Sequence, residues 1–476
     1  MNKKPTIVLA LLFTAAAALF GATPAKPNIV FIFADDWGWA DLSCHDHPYV
    51  KTPNIDRLAK EGTDFYRFTT ASGVCSPSRT GVMTGQFPSR FNIDGHFAWV
   101  DSNATRGMPD WLSLDAPTLP RMLQKAGYAT GHYGKWHLSN DMIPDSPSPL
   151  EYGYDAYGAF NVSGEQMPYD QDVDRAIAFI EQAQKDEKPF FINLWIHEPH
   201  TPFHVLPKYQ LRFPDLDEAD NIFAATLSYA DDRIGELLDF LDAQGLTENT
   251  VVIFSSDNGP ARNSSGGGLG LMYDTATGAG FNLGAAMGIT GGRKAYKAAL
   301  YEGGIGVPFI ARWPGHIPAG AVNERSMLSA VDLLPTFLEI ADVELPKGYQ
   351  PDGVSQLNAL QGASVVEGRE TPLFWKREVS WPASERKPEH WASYAVVHGK
   401  WKILISKGYE QIELYDIVAD PLEQYDVTES QTKVVAEMLE QFKSWLTELP
   451  EAPDPETFSK FRGHADAPKQ ATSRHR

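Results

Sequence analysis

Residues able to do chemistry gather where the apolar runs of this chain stop. Asn28-Ile29-Val30-Phe31-Ile32-Phe33-Ala34 ends in Asp35-Asp36, and Thr250-Val251-Val252-Ile253-Phe254-Ser255 ends in Ser256-Asp257-Asn258-Gly259. The run over 189–196 ends in His197-Glu198-Pro199-His200, and a shorter β-like stretch over 128–134 leads into Lys135-Trp136-His137. Asp35, Asp36, Asp257 and Asn258 offer only hard oxygen donors, which suits Ca²⁺ or Mg²⁺, whereas zinc favours more nitrogen or sulfur. Such a cation would hold and neutralise an anionic oxygen. Arg79 and Lys135 add fixed positive charge, and His137 and His200 titrate near neutrality and can move protons. Together these groups suit an anionic ester. Taken singly, Asp-Asp reads as a cap or turn and Asp-Asn-Gly as a tight turn; four polar clusters at strand ends favour function over turns.

Cys75 is one of two cysteines in the chain and lies in Val74-Cys75-Ser76-Pro77-Ser78-Arg79. Ser76-Pro77 reads as a cap followed by proline at the first helical position, which puts Cys75 at a helix N-terminus, where free amides attract sulfate and phosphate. The ordinary reading is a disulfide with Cys44. The alternative is a reactive centre, but soft sulfur beside an oxygen-ligated hard cation is a poor match. The surroundings ask for an oxygen nucleophile.

The elements that must position these groups read as βαβ units. Apolar runs of strand length alternate with helical patterns over 55–61, 119–126, 173–184 and 225–241, most closed by a glycine. That predicts an α/β fold with a mostly parallel sheet, whose ligand crevice lies beyond the carboxyl ends of the strands. After about residue 370 the pattern changes to short strands over 395–397, 401–405 and 413–416, then a final helix over 434–446.

The 476 residues carry 41 basic and 61 acidic side chains, a formal charge of −20. That balance argues against nucleic acid or an anionic membrane as partner. Lys3 and Lys4 precede an apolar run over 7–20 and small residues near 23–25, so 1–25 reads as a signal peptide and the protein as periplasmic or secreted. Once the signal is cleaved, no membrane attachment is expected.

At Cys75-Ser76-Pro77-Ser78-Arg79-Thr80-Gly81 the chain resembles the formylglycine-dependent (type I) sulfatases of the alkaline phosphatase superfamily, in which this cysteine is oxidised to formylglycine during export. The resemblance runs from residue 26 to about 426. It implies Asp35, Asp36, Asp257 and Asn258 as calcium ligands together with the modified Cys75. Gly134-Lys135-Trp136-His137-Leu138 matches a motif whose Lys and His contact sulfate and nucleophile, and Pro199-His200-Thr201-Pro202 supplies a leaving-group histidine with His197 as its neighbour. Lys297-Ala298-Ala299-Leu300-Tyr301-Glu302-Gly303-Gly304 carries a sulfate lysine, Lys297, with Lys294 as the competing candidate. One departure is Gly306, where the family usually has arginine. The Gly-rich insert over 263–292 has no clear counterpart and reads as a substrate lid or a solvated loop.

The resemblance implies a large α/β/α sandwich (26–369), a small antiparallel sheet packed by one helix (370–461) and a disordered tail (462–476). It implies sulfate-ester hydrolysis through a covalent sulfated intermediate, with Arg79, Lys135 and Lys297 on sulfate oxygens and His137 and His200 moving protons. A formylglycine-generating or equivalent maturation enzyme is an implied partner. Asn92-Ile93-Asp94-Gly95-His96 loosely resembles sulfatases of galactose-type or N-acetylgalactosamine sulfates, which makes a sulfated sugar or polysaccharide the expected substrate and His96 and Trp99 its candidate contacts. Two other readings stand: a phosphonate or phosphodiester hydrolase of the same superfamily, and a non-catalytic sulfated-glycan binding protein.

Overall fold

The structure, a computed structural model, describes residues 26–201, 203–261, 270–274, 278–282, 288–363, 368–377 and 388–463. The signal-peptide reading of 1–25 lies outside these residues. An eight-stranded sheet forms the centre. Its parallel heart comprises β1 (Asn28–Ala34), β3 (Ala129–Lys135), β4 (Ala156–Phe160), β5 (Phe190–Trp195) and β6 (Thr250–Ser256), in the spatial order β6-β1-β5-β3-β4. Beyond β6 the antiparallel β7 (Phe309–Arg312), then β2 (Thr63–Phe65) and β8 (Ala321–Asn323), complete one edge.

Because alternate residues of a strand face opposite sides, the continuous apolar runs of β1 and β6 feed two cores. Ile29, Phe31, Phe33, Val251 and Ile253 pack with side chains of helices α2 (Cys75–Thr84), α3 (Leu119–Lys125) and α6 (Leu333–Ile340). Val30, Ile32, Val252 and Phe254 pack with those of α1 (Pro53–Glu61), α4 (Asp172–Lys185) and α5 (Glu218–Ala243). The result is the expected α/β/α sandwich, and a strand buried on both faces is why its sequence reads as an unbroken apolar run rather than an alternation. Helix α5 begins well before the expected residue 225, because Asp217 caps it by accepting the Asp220 N–H and the apolar pattern then continues through Ile222 and Phe223.

The four antiparallel strands β9 (Arg369–Lys376), β10 (Tyr394–Gly399), β11 (Trp401–Ile405) and β12 (Ile412–Asp416) form the separate small sheet, covered by α7 (Thr432–Leu446). Trp445 of α7 stacks on Phe374 at 4.8 Å. The small sheet's apolar face belongs to the same buried cluster as one face of the large sheet. Trp375 Nε1 donates to the Thr70 carbonyl at 2.8 Å, tying β9 to the segment that leads into α2.

The Gly-rich insert contributes two paired strands, Gly270–Asp274 and Gly278–Asn282, the second of which pairs with Phe203–Val205. Residues 263–269, 275–277 and 283–287 of the lid-or-loop reading fall outside the described residues, and Ile289 is tied to the loop after β1 by its N–H to Asp41 Oδ1 at 2.7 Å. Arg462, where a disordered tail was expected to begin, still donates to Asp110 at 3.0 Å and to the Met108 carbonyl at 2.7 Å; residues beyond 463 are not among those described. No described helix is long and apolar enough to cross a membrane.

Candidate active site

Parallel strands deliver their following residues to one edge of the sheet, and here β1, β6 and β3 deliver the charged groups. Asp35, Asp36, Asp257 and Asn258 are all buried. The Asp36 N–H points at Asp257 Oδ1 (3.3 Å), and Asn258 Nδ2 donates to Asp36 Oδ1 at 2.6 Å. Asp36 holds a φ of 68°, a left-handed conformation that aspartate tolerates better than most residues. Gly259 is required by closeness: a Cβ there would lie 2.0 Å from the Gly303 carbonyl oxygen. Asn258 Oδ1 is buried with no hydrogen-bond partner. An orphaned carbonyl oxygen among three buried carboxylates is a donor set that fits a hard divalent cation.

Helix α2 places Cys75 against this cluster. Cys75 is the first helical residue and Val74 the N-cap, so the expected cap at Ser76 is displaced by two residues. Ser76 Oγ instead accepts the Phe97 N–H at 3.0 Å and helps hold the cavity wall. Cys75 Sγ lies 3.5 Å from Asp35 Oδ1, 3.4 Å from Lys135 Nζ and 3.8 Å from Lys297 Nζ. Both cysteines are free, so the disulfide reading fails. Burial, followed by the nearby Asp257 carboxylate, pushes the Cys75 thiol up to about 12. As a plain thiol, Cys75 is a poor nucleophile.

Cations answer the carboxylates. Lys135 bonds Asp35 Oδ2, and Lys297 bonds Asp36 Oδ1 at 2.5 Å. Lys294 points away, to Tyr415 Oη at 2.8 Å on the small sheet, so Lys297 is the lysine brought to the cluster. Arg79 departs from its expected place on a sulfate oxygen. It is fully buried, donates twice to Asp257 Oδ2 (3.1 and 2.7 Å) and once to the Lys135 carbonyl (3.1 Å), and packs over the Trp195 ring. Arg79 thus sits behind the carboxylates and orients Asp257.

In front of the cluster opens a cavity of about 730 Å³, lined by Cys75, Lys135, His137, His200, Lys297, His96 and Trp99 among others. His137 Nε2 lies 3.1 Å from the Phe97 carbonyl oxygen. A carbonyl only accepts, so Nε2 carries the proton, and Nδ1, buried without a partner, is the basic nitrogen. Burial and then the Lys135 charge hold His137 well below the usual histidine range, hence neutral. His200 is placed likewise, with Nδ1 on the Thr201 carbonyl (2.5 Å) and Nε2 3.8 Å from Asp36; burial lowers it to about 4. His96 lies 6.5 Å ring to ring from His137.

His197 does not reach the cavity lining. It is buried behind it, stacked on Tyr169 at 4.4 Å and 5.5 Å from the His200 ring. Asn140 and Asn161 line the cavity and were not foreseen. Asn140 Nδ2 donates to the same Phe97 carbonyl as His137 (3.1 Å), and Asn161 immediately follows β4 with a φ of 55°. The available signal was position, since both follow strand ends as the foreseen clusters do. The helix over Val100–Thr105, which supplies Asp101, Ser102 and Thr105 to the wall, carries no comparable mark.

A parallel sheet that brings a helix-terminal cysteine, carboxylates, lysines and histidines to one cavity defines a hydrolase of oxyanion esters, and the chain belongs to the sulfatase family. Residues 27–343 match the family model described as Sulfatase, and residues 294–451 match the one described as N-sulphoglucosamine sulphohydrolase, C-terminal. The protein is a sulfuric ester hydrolase. It is 31% identical to N-acetylgalactosamine-6-sulfatase of Sus scrofa, over 77% of this chain and 72% of that one. It is 30% identical to arylsulfatase A of Homo sapiens, over 91% and 89% of the two chains. Among solved structures, Ps i-CgsB in complex with k-i-k-neocarrahexaose superposes with a TM-score of 0.72 at 26% identity, covering 92% of this chain and 97% of that one.

Proposed function

We propose that the protein removes sulfate from a galactose- or N-acetylgalactosamine-type residue of a sulfated carbohydrate, using an oxidised Cys75 and Ca²⁺. One observation carries the chemistry: Cys75, buried at a helix N-terminus, faces a carboxylate cluster and two lysine ammonium groups at the head of an open cavity. Asp35, Asp36, Asp257 and Asn258, with the oxidised Cys75 side chain, would hold the cation, which when bound supplies charge neutralisation for a sulfate oxygen. Oxidation of Cys75 to an aldehyde supplies a hydrate with two hydroxyls, one to attack sulfur and one to let sulfate leave, where serine has only one.

The chain's own residues do the remainder. Lys135 and Lys297 hold two sulfate oxygens, and Arg79 keeps Asp257 aimed at the cation. His137 accepts a proton at Nδ1, its free nitrogen, as sulfate is released. His200 stands on the leaving-group side and assists departure of the alcohol, and His96 and Trp99 pack on the sugar. The sugar class draws support from the names of two similar proteins, the N-acetylgalactosamine-6-sulfatase and the carrageenan-oligosaccharide complex. On this reading the chain is exported, over 1–25 as signal, and meets a formylglycine-generating enzyme on the way.

Mass measurement of the tryptic peptide over 68–79 tests the nucleophile. The expected result is loss of the thiol-to-aldehyde difference in active protein, and an unmodified Cys75 in active protein overturns the reading. A panel of galactose-6-, galactose-4- and N-acetylgalactosamine sulfates beside a phosphonate monoester tests the substrate. Faster phosphonate turnover would favour the superfamily's other chemistry.

A further inference from the structure

A second cluster lies outside the active site and has a different donor chemistry. Cys44 Sγ, His45 and Asp64 place their ligand atoms within 4.8 Å of one another. Cys44 and His45 lie on the short turn Ser43–His45, and Asp64 on strand β2, next to the edge strand β8. His45 Nδ1 is 2.5 Å from the Trp39 carbonyl oxygen and must donate to it. Nε2 therefore carries a lone pair in the neutral ring, yet it faces Asp64 Oδ2 at 2.7 Å. Two acceptors at that distance hold a proton between them in the metal-free protein, and a metal ion would take that proton's place. The other oxygen, Asp64 Oδ1, is buried without any hydrogen-bond partner, although Asp64 is only 4% exposed.

We propose that Cys44, His45 and Asp64 form a second metal site, selective for a borderline-soft divalent ion such as Zn²⁺. Sulfur, imidazole nitrogen and carboxylate oxygen are the mixed set that zinc prefers and calcium does not. The imidazole N–H on a backbone carbonyl is the arrangement that fixes a ligating histidine's tautomer and raises its basicity. Neighbouring carboxylate charge favours a cation, since Asp56 accepts the Cys44 N–H at 3.0 Å beside Asp64. Arg293 is a nearby fixed cation, its guanidinium over the Trp39 ring at 3.6 Å, while the same ring stacks on His45 at 4.0 Å. Burial, with Asp64 and Asp56, keeps the Cys44 thiol protonated well above its usual range in the metal-free protein. Binding therefore releases two protons to solvent, that of the Cys44 thiol and that held between His45 and Asp64, and uptake weakens as pH falls. The ion would join the loop that follows Asp35 and Asp36 to strand β2, a structural clamp on the segment behind the active site.

The chain has two cysteines, so a Cys75→Ser protein leaves Cys44 as the only source of a thiolate. That protein, held in excess Ca²⁺ to occupy the all-oxygen cluster, is titrated with Co²⁺. The expected result is a near-ultraviolet thiolate-to-cobalt absorption that saturates at one equivalent and is displaced by Zn²⁺. Adding Cys44→Ser removes the absorption, and His45→Gln or Asp64→Asn weakens cobalt affinity by about 10-fold or more. Zn²⁺ raises the melting temperature of Cys75→Ser but not of the double variant. A folded Cys75→Ser protein that shows no thiolate band overturns the proposal. So does a band whose affinity ignores both His45→Gln and Asp64→Asn.

Discussion

The floor and the wall of the cavity are built on different principles. The floor stands on strand ends and the first turn of α2, and its groups bond one another: Lys135 to Asp35, Lys297 to Asp36, Arg79 to Asp257. The wall is a half-buried segment with a short helix over Val100–Thr105, anchored by Arg106 reaching back to the His96 carbonyl at 2.7 Å. The floor's geometry is imposed by the sheet, so it can serve one reaction on many substrates. The wall beyond Phe97, whose backbone bonds His137 and Ser76, can vary with less effect on that floor, which is where selectivity for a substrate belongs.

Substitutions can break or sharpen this contrast. Cys75→Ser should fold with an unchanged melting temperature and lose turnover by at least about 10³-fold, because it removes the nucleophile of a group that acts as a unit; comparable turnover in single-turnover assays would contradict the proposed role. Arg79→Ala should cost about 3–5 kcal/mol in denaturant unfolding, since it strands a buried Asp257 carboxylate. His137→Ala should lower kcat by about 10²–10⁴-fold. Burial lowers the His137 pKa, so the basic form persists at pH values below the ordinary histidine value of about 6.5. The acid limb of the native kcat/KM profile should accordingly lie below that value. Trp99→Ala, on the wall, should raise KM for a sulfated sugar by about 10-fold while leaving a small aryl sulfate nearly unaffected. An equal effect on both substrates would mean that the wall is part of the floor.

The same contrast explains what could be read in advance. β1, β6 and the residues after them were legible because strands buried on both faces have an unmistakable composition, and polar residues interrupt it abruptly. Spacing from Tyr301-Glu302 favours Lys297 over Lys294, and the structure parts the two further, since Lys294 donates to the Tyr415 hydroxyl. Arg79 was legible as a site residue but not as one that faces inward, because sequence carries no sign of which side of a carboxylate a guanidinium occupies. Asn140, Asn161 and the helix over Val100–Thr105 were hidden for a further reason. Their roles depend on loop paths shaped by distant contacts, such as the Phe97 carbonyl shared by His137 and Asn140.

Cys75 is 3% exposed and already turned into the first residue of α2. Once that helix and the strands beneath have formed, a modifying enzyme has no access to the thiol, so the proposed oxidation would have to be completed on the unfolded chain. The topology slows the competing process: β1 pairs on one side with β5 and on the other with β6, partners more than 150 residues away along the chain, and such distant pairings form late. On that proposal the slow closure of the sheet sets a deadline, and the fraction of active molecules in a preparation would record a race between modification and folding rather than an equilibrium.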